Sequence, residues 1–519
     1  MLTTAQRGNG KQGVEKVSFI RKIKRKGRTY LMEVENQRVD GKIRQKFIRY
    51  VGVDPDNEKS VFPQCNHDLK LDAVRVYGSV IALDFIAKEI GLYDLLGEHA
   101  KVILALVYCH CHDYRSLSDV SRWFQKTDLN AVFEIQKITE KQLYNAVTAL
   151  EEMDQLALQK SIFEKLGALC KENASSVLYD VTNTYVQGSC CSLAKKGKDK
   201  EGARGRRIIQ IGLGVTKKWG LPIFHQVHPG NVSDCKIFSE AISLLRVFGI
   251  YRGTIVYDRG MSAKSSILRL SNDHWNIIGG MPLHKGVKSC ISAMDLEDIE
   301  SFRNRVQQGQ STFYAIGKPH IIEGTIGRLY LVVNSFKKQR EKEDRLTKIV
   351  QMQNEEIPVE KSFEKFFSKP GRVNTHAIKR AEMYDGMSAI FTTGRYSKED
   401  VIRLYFEKDL IEKSFQTLKS VLSLRPVRHW LNGKVKAHVL ICFLSYALLT
   451  TIRFKLKISG LYDKGVSVVS ALSELENIYR IYFHNNGADG GHKSMFTQTI
   501  SLTSQQEKIL KAISPTLIV

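Results

Sequence analysis

The sequence predicts an α/β protein built in several segments, and three observations carry that prediction. Over residues 173–285, apolar runs of strand length alternate with amphipathic helical stretches. Ahead of this core, residues 56–172 read in helical periodicity and residues 1–55 as short basic strands separated by Gly turns. Behind it, residues 286–400 return to strand patterns before a helical segment over 401–460 and a helical tail over 461–519. The fold class is thus an α/β core interrupted by a β-rich insertion domain, preceded by a small basic β module and a helical region.

The first 52 residues carry fourteen Lys and Arg against four acids. Val17–Arg21, Thr29–Val34 and Gln45–Val51 have strand lengths, with turns at Lys26-Gly27 and Asp40-Gly41. Such a sheet suits DNA contact; the alternative is a solvated basic sheet packed on the core. In the helical region, Ser116-x-x-Asp119 and Thr139-x-x-Gln142 mark helix starts. Glu140 to Lys171 reads as one helical run, with Gly167 as its only expected break.

The whole chain repeats the basic bias of its first module. Its 519 residues hold 78 Lys and Arg against 54 Asp and Glu, a net charge of +24 that points to a polyanionic partner, nucleic acid before an acidic membrane. Nine Cys without regular spacing do not make a disulfide framework and fit a reducing, cytoplasmic compartment. Cys109-His110-Cys111-His112 invites a zinc reading, but neighbours on a helix point in different directions and no second ligand pair stands at finger spacing. No apolar leader core opens the sequence. The strongest apolar run, Val439 to Ile452, is shorter than the roughly 20 residues a membrane span needs and reads as a buried helix.

In the core, Ser176–Val181 is a strand carrying Asp180 near its end, and Arg207–Thr216 and Leu221–His228 form a hairpin around Lys217–Gly220. An amphipathic helix follows over Ser233–Phe248, then a strand ending at Asp258, a helix over Ser262–Leu270 and a strand over Asn276–Met281. Three strands with hairpin turns, helix, strand, helix, strand is the ribonuclease-H-like order. The stretch from Asp258 to Glu412 is far too long for a loop and holds its own strands, Ser311–Ile316, Gly327–Val333 and Ser388–Thr392, and a charged helix around Lys337–Met352.

Asp180 and Asp258 each end an apolar strand, where a carboxylate is unfavourable unless paired or bound to a cation. Adjacent strands would set the two acids close together and create a divalent-cation site; oxygen-only ligands favour Mg²⁺, with Mn²⁺ able to substitute. Two ions about 4 Å apart can drive an in-line phosphoryl displacement. A strand-end turn or helix cap is the competing role for either Asp alone.

The third acid sits in Tyr405-Phe-Glu-Lys-Asp-Leu-Ile-Glu-Lys-Ser-Phe-Gln-Thr-Leu-Lys419. On a continuous helix Tyr405, Lys408, Glu412 and Lys419 share one stripe, at roughly 0°, 300°, 340° and 320°, apart from an apolar face of Leu404, Leu410, Ile411, Phe415 and Leu418. A solvated surface helix with a Lys408–Glu412 pair is the plain alternative. The spacing Tyr-x2-Lys-x3-Glu-x6-Lys resembles the Tyr-x2-Arg-x3-Glu-x6-Lys signature of the DDE transposases of insertion-sequence family four and its close relatives. Pro229-Gly-Asn-Val-Ser-Asp234 and Arg425-Pro-Val-Arg-His429 also resemble that family, and the likeness covers roughly residues 175–455. Lys408 stands where the family has Arg, which keeps the charge but loses the planar fork.

The resemblance implies a ribonuclease-H-like catalytic core interrupted by an insertion, with Asp180, Asp258 and Glu412 as catalytic metal ligands. It implies Mg²⁺-dependent cleavage of DNA at transposon ends and 3′-hydroxyl strand transfer, in a bacterial or archaeal, nucleoid-associated protein that acts as a homodimer. Tyr405, Lys408 and Lys419 would face DNA, and the basic loop with Arg204, Arg206 and Arg207 would track phosphates. The helical region would recognise ends and the tail would support dimerisation. Two other functions compete: a DNA-binding protein that kept the fold without the reaction, and a ribonuclease-H-like nuclease without strand transfer.

Overall fold

The computed structural model describes residues 18–25, 28–39, 42–53, 69–113, 115–187, 190–197, 199–200, 205–292, 294, 299–369, 372–421, 427, 431–485 and 494–518. The chain forms two compact units, residues 1–73 with 482–497, and residues 74–481 with 498–519.

The first unit carries the expected basic strands. β1 (Ser18–Arg25), β2 (Arg28–Val39) and β3 (Lys42–Val53) make an antiparallel sheet in that order, β2 and β3 shifting register at two irregularities. The turn residues Lys26, Gly27, Asp40 and Gly41 lie outside the described residues.

The helical segment begins after β4 (Leu69–Val76). Ser116 caps the helix Leu117–Lys126 through the Asp119 amide, and Thr139 and Gln142 form a reciprocal capping box on Glu140–Glu152. The expected break at Gly167 is not where the chain breaks. Helix Glu140–Glu152 stops at Met153, and Asp154 starts Gln155–Cys170 by accepting hydrogen bonds from the Leu156 and Ala157 amides. An Asp that satisfies two free amides sets the boundary more firmly than an interior Gly, whose effect is about 1 kcal/mol.

The core strands follow. They are β5 (Ser176–Tyr185), the short β6 (Lys195–Lys196), β7 (Arg207–Thr216), β8 (Pro222–Pro229), β9 (Thr254–Tyr257) and β10 (Asn276–Met281). β8, β7 and β5 pair antiparallel in sequence, and β9 and β10 continue parallel from β5. The chain order, three hairpin-linked strands, helix, strand, helix and strand, is the one anticipated from the sequence; in space it gives β8-β7-β5-β9-β10, with helices Asp234–Val247 and Lys264–Asn272 as crossovers.

The stretch taken for a separate insertion domain extends this sheet instead. β11 (Arg305–Gln308), β12 (Ser311–Ile322), β13 (Thr325–Asn334) and β16 (Met387–Thr392) continue in the order β11-β12-β13-β16-β10, all antiparallel. Without them β10 would end the sheet with unpaired backbone groups; β16 closes that edge. Strand patterns give the strands but not which edge they complete. Between β13 and β16, helix Ser335–Gln353 and the short strands β14 (Phe367–Lys369) and β15 (Arg372–Val373) build a small cluster of their own around Ile349, Phe366 and Ile378.

Alternation along β5 divides the core. Val177, Tyr179 and Val181 face one cluster, shared with Ile237, Phe238 and Ile267 of the crossover helices. Leu178 faces the other, shared with the helical region, the helix of Ile411 and Phe415, and the long helix Asn432–Ile458. That last helix has the length and apolarity to cross a membrane, and 94% of its most apolar window is buried inside the protein, as the burial reading anticipates. The tail is not wholly helical: β17 (Tyr479–Asn485) and β18 (Ser494–Thr499) separate Val468–Glu476 from Ser504–Ile513.

Candidate active site

The parallel register of β5 and β9 brings the two Asp residues to equivalent positions. Leu178 pairs with Val256, and Asp180 and Asp258 each lie two residues further on. Side-chain alternation puts Asp180 on the Leu178 side, where the Glu412 helix packs. Asp180, Asp258 and Glu412 line one cavity of about 530 Å³, together with Lys200, Asp234, Arg259 and Lys419.

The helix of the signature is not continuous. It runs Lys398–Phe406, tightens at Glu407 and Lys408, resumes as Asp409–Gln416 and widens into a π-helical turn over Thr417–Val421. The constant 100° step behind the expected stripe therefore fails at both ends, and the four residues do different things. Glu412 is 56% exposed and Asp258 41%. Tyr405 is buried, its hydroxyl donating to Asp258 Oδ1 at 2.9 Å. The Lys408 ammonium, 21% exposed, donates to the same Oδ1 at 3.0 Å and stands 3.7 Å from Glu412 Oε1. In this structure both groups expected to meet phosphate are engaged with the acids. Lys419 lines the cavity mouth.

Two adjacent glycines make room for tyrosines on the two faces of β10. A Cβ on Gly280 of β10 would sit 2.4 Å from the Tyr405 hydroxyl and 2.9 Å from the Arg259 amide. On the other face of the strand, a Cβ on Gly279 would meet the Tyr257 ring at 2.5 Å. The Gly279-Gly280 pair thus lets two buried tyrosines cross the strand beside Asp258.

Electrostatics separate the two Asp residues. Burial pushes the Asp180 carboxyl up to about 6, and Asp258 adds to this, against the pull of Lys200, the Val181 amide 2.7 Å away and Lys408. Burial acts in the same sense on Asp258 but is outweighed: the Lys408 charge and hydrogen bond, the Arg259 amide and the Tyr405 hydroxyl hold it below the usual carboxylate range. Burial first, then Asp258, drive the Tyr405 phenol far above its ordinary value, so it keeps its proton and donates a hydrogen bond to the carboxylate.

The basic loop divides as well. Arg204 lies outside the described residues. Arg206 is exposed, its guanidinium over the Tyr185 ring at 4.7 Å. Arg207 donates to the Ala194 and Cys191 carbonyls, both at 2.9 Å, and so fastens the loop. Sequence reasoning missed Lys200, which bonds the Val181 carbonyl and pairs with Asp234 at 3.0 Å, and gave Asp234 no role in the cavity. The family-like Pro229–Asp234 segment was the signal available for Asp234. Of the second family-like segment, Arg425–His429, only Val427 is described.

A family model described as "Transposase DDE domain" matches residues 173–448, just over half of the chain. This chain belongs to the DDE transposase family. The matched span begins just before β5 and ends within the long helix that follows Glu412, so it contains all three candidate acids. Among solved structures, one titled "Cryo-EM structure of piggyBac transposase synaptic complex with hairpin DNA (SNHP)" is similar at 12% identity, with a TM-score of 0.39 and 76% of each chain covered. No curated protein matches the chain.

DDE transposases generally use divalent metal ions. The donor set here, the three candidate acids with Asp234 as a fourth carboxylate on the same cavity and no soft ligand among them, suits a hard cation. Among the described residues no three His, Cys, Asp or Glu side chains are gathered closely enough to share an ion, and an ammonium lies against two of the acids instead.

Proposed function

We propose that this chain is the transposase of an insertion sequence, which cuts DNA at the ends of its element and joins the exposed 3′-hydroxyl to target DNA. The observation that carries this reading is the convergence of Asp180, Asp258 and Glu412 on one cavity within a DDE domain. These three would hold Mg²⁺, or Mn²⁺ in its place. When bound, the ions supply polarisation of the attacking water or 3′-hydroxyl and stabilisation of the leaving oxygen.

The chain's own groups do the remaining work. Tyr405 fixes the rotamer of Asp258 by its 2.9 Å hydrogen bond, leaving Oδ2 outside that contact. Lys419, which lines the cavity, and the exposed Arg206 of the basic loop would hold the phosphate backbone by charge. Joining two ends calls for two such sites, hence a homodimer on DNA. Cleavage of end-bearing DNA that stops in chelator and resumes with Mg²⁺ supports the proposal; cleavage indifferent to chelation contradicts it.

Two predictions follow from the charges. Because Asp180 holds its proton up to about pH 6, cation binding must displace that proton below this pH. The raised value makes the proton the competitor on the acid side, so Mn²⁺ affinity should rise from pH 5 to 7 and level off above. Calorimetric titrations at three pH values check this, and flat affinity would contradict it. In the first unit, Lys24, Lys42 and Arg44 are exposed on β1 and β3. If that sheet binds DNA, replacing all three with Gln should lower the slope of log affinity against log salt by about 2–3. An unchanged slope would remove the sheet from the DNA contact.

A further inference from the structure

Lys408 stands beside the cavity and lies against two candidate ligands from different elements at once. Its ammonium lies 3.0 Å from Asp258 Oδ1 and 3.7 Å from Glu412 Oε1, with the Tyr405 ring 4.9 Å beneath it. Asp258 comes from the end of β9 and Glu412 from the helix after β16, so nothing covalent near the site holds these acids together. Two carboxylates facing one small volume repel each other, and a positive charge between them relieves that repulsion. Tyr405 pins the same Oδ1, and the tightened backbone at Glu407 and Lys408 aims the lysine inward.

We infer that Lys408 is a resident counter-ion: in the metal-free protein it occupies the place between Asp258 and Glu412 that a divalent ion takes. This rests on the metal-ligand reading above. The ammonium and the cation then compete for Asp258, and loading the site frees Lys408 from that carboxylate. A Lys fits this exchange better than an Arg, because a single ammonium on a flexible stem has no bidentate grip on the carboxylate to break. Lys408 is a positioning residue of the empty site, and its charge becomes available to another anion only once the cation is in.

The test uses the full-length protein and Mn²⁺ alone, with affinity read by calorimetry and integrity by circular dichroism and thermal melting. Lys408→Gln removes the competitor, so Mn²⁺ should bind about three- to tenfold tighter, a modest factor because the pair is partly exposed to water. The metal-free melting temperature should fall, and the rise in melting temperature on adding Mn²⁺ should exceed that of the wild type. Lys408→Arg should restore the metal-free melting temperature. Unchanged or weaker Mn²⁺ binding by a folded Lys408→Gln protein overturns the inference.

A second measurement needs no variant. In the wild-type chain, acylation of the Lys408 amine, followed by mass spectrometry, should speed up when Mn²⁺ saturates the site; an unchanged rate overturns the inference. Asp258→Asn separates the two levels of the argument. If it binds Mn²⁺ as the wild type does, the metal-ligand reading itself fails and the counter-ion role with it. Loss of binding there, with no gain in Lys408→Gln, defeats the counter-ion role alone.

Discussion

Asp180→Ala, Asp258→Ala and Glu412→Ala should each lower DNA strand cleavage by on the order of 10³-fold or more while leaving end binding largely intact. The size follows from the chemistry assigned to them. Removing a ligand forfeits several kcal/mol of charge stabilisation at the reacting phosphate, and each 1.36 kcal/mol is about tenfold in rate. Binding should survive because the phosphate contacts proposed above fall to cationic groups and not to these acids. The three substitutions should not be equal in stability. Asp258→Ala removes the hydrogen-bond acceptor of both the Tyr405 hydroxyl and the Lys408 ammonium, whereas Glu412, 56% exposed, loses a 3.7 Å contact to Lys408. Nicking rates on end-bearing DNA beside gel-shift affinities decide this. A variant that nicks at a near-normal rate would remove its residue from the metal site.

The second large effect is expected at a residue with no side chain of its own. Gly280→Ala should slow cleavage about 10- to 100-fold, because the added methyl must push the Tyr405 hydroxyl and the Asp258–Arg259 turn aside together. A displacement on the order of 1 Å at a reacting centre is enough for such a loss. Overpacking of this kind also destabilises by about 1–3 kcal/mol, so thermal melts must accompany the assay. Tyr405→Phe alone should lose less, since Asp258 keeps Lys408. Combined with Gly280→Ala it should recover part of the activity by removing the atom that clashes at 2.4 Å. Strict additivity of the two changes would show that the clash does not act through the hydroxyl.

These two predictions draw on different amounts of sequence. Asp180 and Asp258 stood out as candidates because each ends an apolar strand, where a carboxylate is unfavourable unless paired, and Glu412 because of the signature it sits in; the structure lines one cavity with all three. The strand order was legible too: alternation, hairpin turns and amphipathic crossovers are local signals, and β7 and β10 occur over the spans read from them. What Tyr405 and Lys408 touch was not legible. Their spacing suggested a stripe on a straight helix, and the tightening at Glu407 and Lys408 turns both groups onto Asp258, a residue in another element. Lys200 escaped notice for a similar reason, as one cation in a loop full of them whose pairing with Asp234 is purely tertiary. The joining of β16 to β10 was hidden because a strand's sequence states that it has an edge to cover, not which strand will cover it. Nothing within the strand Asn276–Met281 marks Gly280, whose use depends on a tyrosine that arrives from far along the chain.

Strand transfer measures directly whether the site joins DNA as well as cutting it, as proposed. Purified protein, Mg²⁺ and a target plasmid are incubated with element-end duplexes already cut to expose the 3′ terminus, carrying either a 3′-hydroxyl or a 3′-deoxy end. A transposase should join the 3′-hydroxyl ends to the plasmid, give no joined product with the 3′-deoxy ends, and lose joining in Glu412→Ala. Efficient nicking of intact ends with no joined product from either duplex would contradict the account and leave a metal-dependent nuclease in its place.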